Sequence, residues 1–215
     1  MYNFIQFMSL DTLTLVQKIR DYEPSIVKII LDYVFIPCSE DKEGKYKYIR
    51  PVPKSGTHTI SEKAFSNNKT LECVIIDNSV KTIGDFAFAG CSNLNYIMIP
   101  ESLKTIGYGA FQNCASLKKL IKPNTLETIC GWAFENCSSL TNIIFGNSLK
   151  SICDFSFCNC LSITQVIIPN SVERIQLYSF MNCPNLQVAS IPKHLEKIEI
   201  KKDIFPEHTK VIVRT

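Results

Sequence analysis

The chain has 215 residues, of which 46% are hydrophobic and 20% are charged, a composition typical of a folded soluble protein and not of a disordered one. Its formal net charge of +3 is too small to indicate a nucleic-acid or membrane partner, so we expect neither. No stretch approaches about 18 consecutive apolar residues, and we therefore expect no transmembrane segment.

Residues 1–37 precede any repeat and are predicted to form an N-terminal helical cap. A loose apolar stripe follows the candidate N-cap Ser9 and stops before Pro24, and a second stripe runs from Ile26 to Pro37. A solenoid needs such an element because its first coil would otherwise expose an apolar cross-section. The alternative is that this helix pair docks a second protein.

Residues 38–56 are polar and are predicted to form a charged connecting loop centred on Ser39–Lys45. A short strand over Tyr46–Ile49, beside the first coil, is the alternative for the end of this segment.

Residues 57–200 repeat with a constant period. Six phenylalanines recur every 23 residues: Phe65, Phe88, Phe111, Phe134, Phe157 and Phe180. A period of this length, with several residue types held in register, is the signature of a stacked solenoid. This part of the chain is therefore predicted to be a solenoid of six repeats.

Other columns keep the same register. The position three residues after each phenylalanine is occupied by Asn68, Cys91, Cys114, Cys137, Cys160 and Cys183. Equivalent leucines or isoleucines follow at six and at eighteen residues, and proline follows at twelve residues in four repeats.

Written with its recurring residues, the unit is Ile-Pro-x-Ser-Leu/Val-x-x-Ile-Gly-x-x-Ala-Phe-x-x-Cys-x-x-Leu-x-x-Ile. It resembles the BspA-like leucine-rich repeat, and the match extends from Thr59 to Ile200. The resemblance implies an α/β repeat solenoid, a right-handed superhelix with a stacked parallel β-sheet. The chain departs from the repeat pattern at Lys122, which stands in a buried column, and at Gly146, which stands in the proline column. These departures affect local turns and not the repeat itself.

Each repeat is predicted to carry one short strand, the first over Val74–Ile76 and the second over Ile97–Ile99. Because strand side chains alternate, Val74 and Ile76 are expected to point into the core and Ile75 outward. The alanine and phenylalanine of the frame are expected to fill the interior of the coil.

The outward positions of these strands form an apolar stripe that ends at Ser190. We predict a partner-binding surface made of this stripe and of the residues two places before it: Ile75, Tyr96, Met98, Lys119, Ile121, Asn142, Ile144, Gln165 and Ile167. The alternatives are that the stripe reflects only β-propensity, or that the N-terminal segment or a second copy of the chain covers it, the latter giving a homodimer.

The cysteines of the repeat column are predicted to be buried and reduced. Equivalent side chains of neighbouring coils project in parallel, whereas a disulfide needs converging Cβ vectors. Reduced thiols, together with the lack of a secretory signal at Met1–Leu10, favour a cytoplasmic location, with export to the cell surface by an unconventional route as the alternative.

Residues 201–215 depart from the frame, since Phe205 lies 25 residues after Phe180. The alternation Val211-Ile212-Val213 predicts a C-terminal cap strand that closes the end of the sheet.

No catalytic, metal or cofactor motif is recognisable, and the three histidines are far apart in sequence. We therefore predict a non-enzymatic protein, without metal or cofactor, that acts as a protein-protein interaction scaffold. The alternative is a cell-surface adhesin or antigen that binds a host or matrix glycoprotein.

Overall fold

The structure is a computed structural model that describes residues 48–49, 57–120, 123–196 and 201–215. The helical cap predicted for residues 1–37 lies outside the described residues, and so do Ile121 and Lys122.

The described residues form a solenoid whose coils are flattened between two walls of short parallel strands. The front wall consists of β1 Tyr48–Ile49, β3 Cys73–Ile75, β5 Tyr96–Met98, β7 Lys119–Leu120, β9 Asn142–Ile143, β11 Gln165–Ile167, β13 Val188–Pro192 and β14 Lys210–Arg214. The rear wall consists of β2 Thr59–Ile60, β4 Thr82–Ile83, β6 Thr105–Ile106, β8 Thr128–Ile129, β10 Ser151–Ile152 and β12 Arg174–Ile175.

A coil is counted here as a rear strand, the turn that carries the frame phenylalanine, and the front strand after it. Coil 1 thus contains Phe65 and coil 6 contains Phe180. Helix in the described residues is limited to a 3-10 turn at Lys193–Leu195 and to α1 Lys201–Ile204. The described part of this repeat solenoid is therefore almost entirely β, and the wall opposite the front strands is a second parallel sheet, which was not predicted from the sequence.

The two walls differ in continuity. The rear strands form one six-stranded sheet in which Ile83 pairs with Ile106 and Ile106 with Ile129, always 23 residues apart. The front strands are divided into the groups β1-β3-β5, β7-β9 and β11-β13-β14. Among the described residues, the front wall therefore shows no ladder pairing between β5 and β7 or between β9 and β11.

Strands β3 and β5 begin and end one residue earlier than predicted, β5 for example at Tyr96 and Met98 instead of Ile97 and Ile99, whereas β13 extends through Pro192. The predicted facing is nevertheless confirmed: Val74 and Ile76 are buried, whereas Ile75 between them is half-buried on the outer face.

The frame phenylalanines form one column of stacked rings along the solenoid axis. Consecutive ring centroids lie 5.1 to 5.3 Å apart from Phe65 to Phe180, with interplanar angles of 11° or less. Rings from Phe88 to Phe180 are completely buried. The prediction that the alanine and phenylalanine fill the interior is confirmed by Ala110 and Phe111, which are both inaccessible to solvent.

The column continues beyond the last regular repeat. The ring of Phe205 stacks on that of Phe180 at 5.4 Å, and β14 pairs in parallel with β13, Ala189 opposite Val211. Residues 201–215 thus add a seventh coil, which keeps the ring column although two extra residues precede Phe205.

The column cysteines bind the backbone of the coil before them. Each Sγ donates to the carbonyl of the phenylalanine 26 residues earlier, at 3.1 to 3.2 Å, as Cys137 does to Phe111. The nine described cysteines are all free thiols. Burial raises the pKa of Cys91 to about 11 and that of Cys183 to about 12, so these side chains remain protonated donors near neutral pH.

Replacing one ring of the column tests its contribution. Phe134→Ala should lower the free energy of unfolding by about 3–5 kcal/mol, because it removes a fully buried ring and two stacking contacts. Urea denaturation followed by circular dichroism measures the change. The matched variant Phe155→Ala removes a half-buried ring of the neighbouring turn and should cost about half as much. Equal losses of stability in the two variants would contradict a special contribution of the buried phenylalanine column.

A second prediction concerns alkaline pH. Burial raises the pKa of Cys137 well above the ordinary 9.0, so the unfolded chain loses this proton at a lower pH than the folded protein does. The free energy of unfolding should therefore fall as the pH rises above about 9. Between about pH 8 and pH 10.5, the free energy of unfolding should fall less for Cys137→Ala than for the parent protein, by up to about 2 kcal/mol.

Urea titrations in the presence of a reductant provide this measurement. Thr141→Ala, an exposed and non-titrating change in the same coil, should keep the pH dependence of the parent. Parallel curves for Cys137→Ala and the parent would show that the buried thiol is not linked to stability.

Candidate interaction surface

The predicted partner-binding residues that the structure describes lie on the front wall, within or directly after its strands. The ladder places Ile75 beside Met98, and Ile167 beside Ser190. Lys119 pairs with Asn142 in the next coil. Ile121 lies outside the described residues.

Exposure of the apolar stripe is concentrated in coils 4 and 5. Ile144 is 57% exposed and Ile167 is 56% exposed, whereas Ile75 and Met98 are half-buried. Ile212, which pairs with Ser190, is 41% exposed and continues the stripe into coil 7. Ile212 was not predicted to belong to the stripe, because it lies seven residues after Phe205, whereas the outward residue lies ten residues after the phenylalanine in the regular repeats.

Ile144 and Ile167 flank a groove of about 860 Å³ between β9 and β11, where the described front strands are not paired. Its lining residues are Lys119, Leu120, Ile143, Ile144, Phe145, Asn147, Gln165, Ile167, Pro169, Asn170, Ser171 and Arg214. We call this the front groove.

The sequence departures in coil 4 coincide with the edge of the front groove. Phe145 occupies an inward position that is isoleucine in several coils, and its ring packs edge-on against Phe157 at 5.8 Å. A Cβ at Gly146 would come within 2.3 Å of the Pro123 carbonyl oxygen. Glycine at this place in the proline column therefore lets the turn after β9 approach the preceding coil.

The described lining residues of the front groove include two cations and no carboxylate. Lys119 is exposed at one side, and Arg214 reaches the other side from the last strand. Ion pairs between described residues join Lys63 to Glu62 and Lys104 to Glu127, and neither involves the two groove cations.

Arg214 is positioned by two residues that closely follow β11. Its Nη2 donates to the Ile168 carbonyl oxygen and to Asn170 Oδ1, the latter at 3.2 Å. Its Nε and the hydroxyl of Ser171, both in the groove lining, are buried and have no hydrogen-bond partner among the described residues. A planar guanidinium with unused donors is suited to bind a carboxylate.

A second ladder of aromatic rings runs along the turns beside the phenylalanine column. It consists of Phe86, Tyr108, Trp132, Phe155 and Tyr178, whose neighbouring ring centroids lie 4.6 to 5.4 Å apart. Four of them stand two residues before a frame phenylalanine and have φ near +55°, an unusual conformation for a bulky residue. That spacing was visible in the sequence and was overlooked.

The ring faces of this ladder are largely occupied by their neighbours, most closely where Trp132 stacks on Phe155 at an interplanar angle of 9°. At the first ring, Lys63 Nζ lies 6.0 Å from the centroid of Phe86. The ladder is therefore best explained as a reinforcement of the turns.

Two histidines of the chain have structural partners. The imidazole of His58 is hydrogen-bonded to the Ser79 carbonyl oxygen and that of His194 to the Val172 carbonyl oxygen, both at 2.8 Å. Within the described ranges, His, Cys, Asp and Glu side chains form no cluster of three that could hold a metal ion. The described residues also contain no helix with the length and apolarity needed to cross a membrane.

Parallel coils stacked on a phenylalanine column, with a cysteine ladder and an open front sheet, define a leucine-rich-repeat solenoid. The sequence matches the BspA type leucine rich repeat region over residues 10–130 and 104–206, and the chain belongs to this family. No curated protein sequence matches it.

Solved bacterial structures resemble the chain. A leucine-rich repeat protein from Eubacterium ventriosum is 26% identical, with a TM-score of 0.56 over 65% of this chain and 37% of that protein. The T. pallidum leucine-rich repeat protein is also 26% identical, with a TM-score of 0.48 over 73% of this chain and 69% of that protein. This chain thus spans little more than a third of the Eubacterium protein, and the likeness establishes the solenoid fold.

The facing of the front strands can be tested with adjacent residues. Ile144→Lys combined with Ile167→Lys should shift the melting temperature by less than about 3 °C, because both side chains already extend into solvent. The matched pair Ile143→Lys and Val166→Lys should unfold the protein or lower its melting temperature severely, because it buries two charges in the core. Similar shifts for the two pairs would contradict the register.

Proposed function

We propose that the protein is a non-catalytic interaction scaffold that binds another protein on its front wall. The observation that carries the proposal is the front groove, where Ile144 and Ile167 expose more than half of their surface beside a break in the sheet. Exposed apolar residues that adjoin one another, with a polar rim, are typical of interaction sites. Repeat solenoids commonly bind partners on an extended face of this kind.

The predicted surface contributes unequally to this proposal. Lys119, Ile144, Gln165 and Ile167 line the front groove and are its central contacts. Tyr96, Met98 and Ile75 lie further along the same wall, where they are half-buried and can extend the contact. Asn142 belongs to β9, beside Lys119 in the ladder.

A homodimer that forms through this wall is the second candidate for the function of the front groove. The positive charges of the groove argue against it. A two-fold dimer would bring Lys119 and Arg214 of one copy close to the same cations of the other, without carboxylates from the groove lining to compensate. A different protein as the partner avoids this repulsion.

We further propose a reducing compartment, the cytoplasm, as the site of action. The support is that nine cysteines are free thiols, five of which serve as hydrogen-bond donors to backbone carbonyls. Recovery of tagged protein only at the external face of its native cell would favour the surface-adhesin alternative.

The test of the scaffold function is affinity enrichment from the native cell after chemical crosslinking. Proteins that depend on the front wall should be enriched by the parent protein and lost with Ile144→Lys/Ile167→Lys. The rear-wall control Thr105→Lys/Thr128→Lys, at half-buried positions of β6 and β8, should retain them. An identical set of proteins with all three baits would exclude the front wall as the binding surface.

A further inference from the structure

We propose that the front groove binds an extended peptide segment that combines apolar side chains with carboxylates. The inference rests on the proposed scaffold function and adds the chemistry of the segment that the partner presents. It is carried by three features of one surface, namely the apolar floor, the unopposed cations and the incomplete hydrogen bonding of Arg214.

The apolar floor sets the first requirement. Ile144 and Ile167 project from neighbouring coils, and Leu120, Ile143 and Phe145 close the bottom of the groove between them. Neighbouring coils are separated by about 4.8 Å, so two isoleucines of this kind provide a floor for one or two apolar side chains of a partner. Burial of those side chains supplies affinity without selecting a charge.

The cations set the second requirement. Lys119 belongs to coil 3, and the guanidinium of Arg214 is held at coil 5 by Ile168 and Asn170. They are separated by two coils along the axis and by about three residues across the wall, each about 10 Å, so about four or five extended residues would connect them. With no acidic residue in the described part of the lining, the groove selects for negative charge at both ends of such a segment.

Arg214 is the anchor for a carboxylate. Its Nη2 is used within the protein, whereas its Nε is buried without a partner, as is the nearby Ser171 hydroxyl. Buried polar atoms without partners are rare in folded proteins and call for a ligand or water. Arg214 lines the groove and is only half-buried, so a carboxylate that enters the groove would pair with its charge while the Ile168 and Asn170 contacts hold the guanidinium in place.

Direct binding of synthetic peptides tests the proposal. The probes are two fluorescein-labelled hexapeptide pools, one alternating leucine with glutamate and the other alternating leucine with lysine, measured by fluorescence anisotropy with the full chain. The glutamate pool should bind at least about tenfold more tightly. Raising the salt concentration from about 50 to about 300 mM should weaken this binding several-fold.

Three variants locate the effect. Lys119→Glu and Arg214→Gln should each weaken binding of the glutamate pool, the latter by about tenfold because a charge-assisted contact is lost. Arg214→Lys should recover only part of this loss, because lysine keeps the charge without the planar fork. The exposed cation Lys81, which precedes the rear strand β4, supplies the control, and Lys81→Glu should leave binding unchanged.

Thermal denaturation of each variant shows whether it is folded. Because Arg214 also ties β14 to coil 5, Lys119→Glu remains the decisive variant if Arg214→Gln fails to fold. The chemistry proposed here is overturned if both pools bind equally, if neither binds, or if Lys81→Glu weakens binding as much as Lys119→Glu.

The scaffold function is judged separately. If both pools bind equally and Ile144→Lys/Ile167→Lys abolishes both, the front wall is a binding surface without charge preference. If neither pool binds but sedimentation shows a dimer that this double variant dissociates, a second copy occupies the groove, and both the peptide inference and the scaffold proposal fall.

Discussion

Backbone pairing between one coil and the next is the constraint on which the rest of this structure depends. The turn at Phe111 donates its N–H to Ala133 of the following coil at 2.8 Å, and Phe134 repeats the bond with Ser156. Each coil satisfies part of its polar backbone in its own turns, as where the Cys114 N–H donates to Phe111, and depends on its neighbours for the rest, since it has no helix or hairpin of its own. The recurring phenylalanine, cysteine and alanine columns all keep one coil at a constant distance from the next.

The thiol ladder illustrates how this constraint selects a residue. The turn after the phenylalanine leaves a carbonyl pointing into the next coil, and a cysteine fits there because it is small, apolar and able to donate a weak hydrogen bond. Coil 1 has Asn68 instead, whose Oδ1 accepts from the backbone N–H groups of Thr70 and Leu71 within its own turn. A cysteine in this column therefore bonds one coil to another, whereas the asparagine stabilises its own turn.

The regular part of the chain was predictable because its signal is repeated. The period predicted the solenoid, the buried column and the outward direction of Ile144 and Ile167. The rear sheet was missed because pairs such as Thr82–Ile83 are too short to show alternation, and only the ladder between coils makes them strands. Arg214 could not be assigned to the groove, since its partners are 46 and 44 residues away in sequence and the seventh coil departs from the period.

The unequal continuity of the two walls has a mechanical consequence. The rear sheet is hydrogen-bonded without a break from β2 to β12, and the phenylalanine rings stack at near-constant spacing behind it, so the distance between coils is fixed along that side. Among the described residues the front wall has no ladder pairing between β9 and β11, and there the spacing can change at lower energetic cost. The solenoid should therefore resist bending more strongly along the rear wall than along the front wall. The groove beside β11 is the place where its width can change to fit a bound segment.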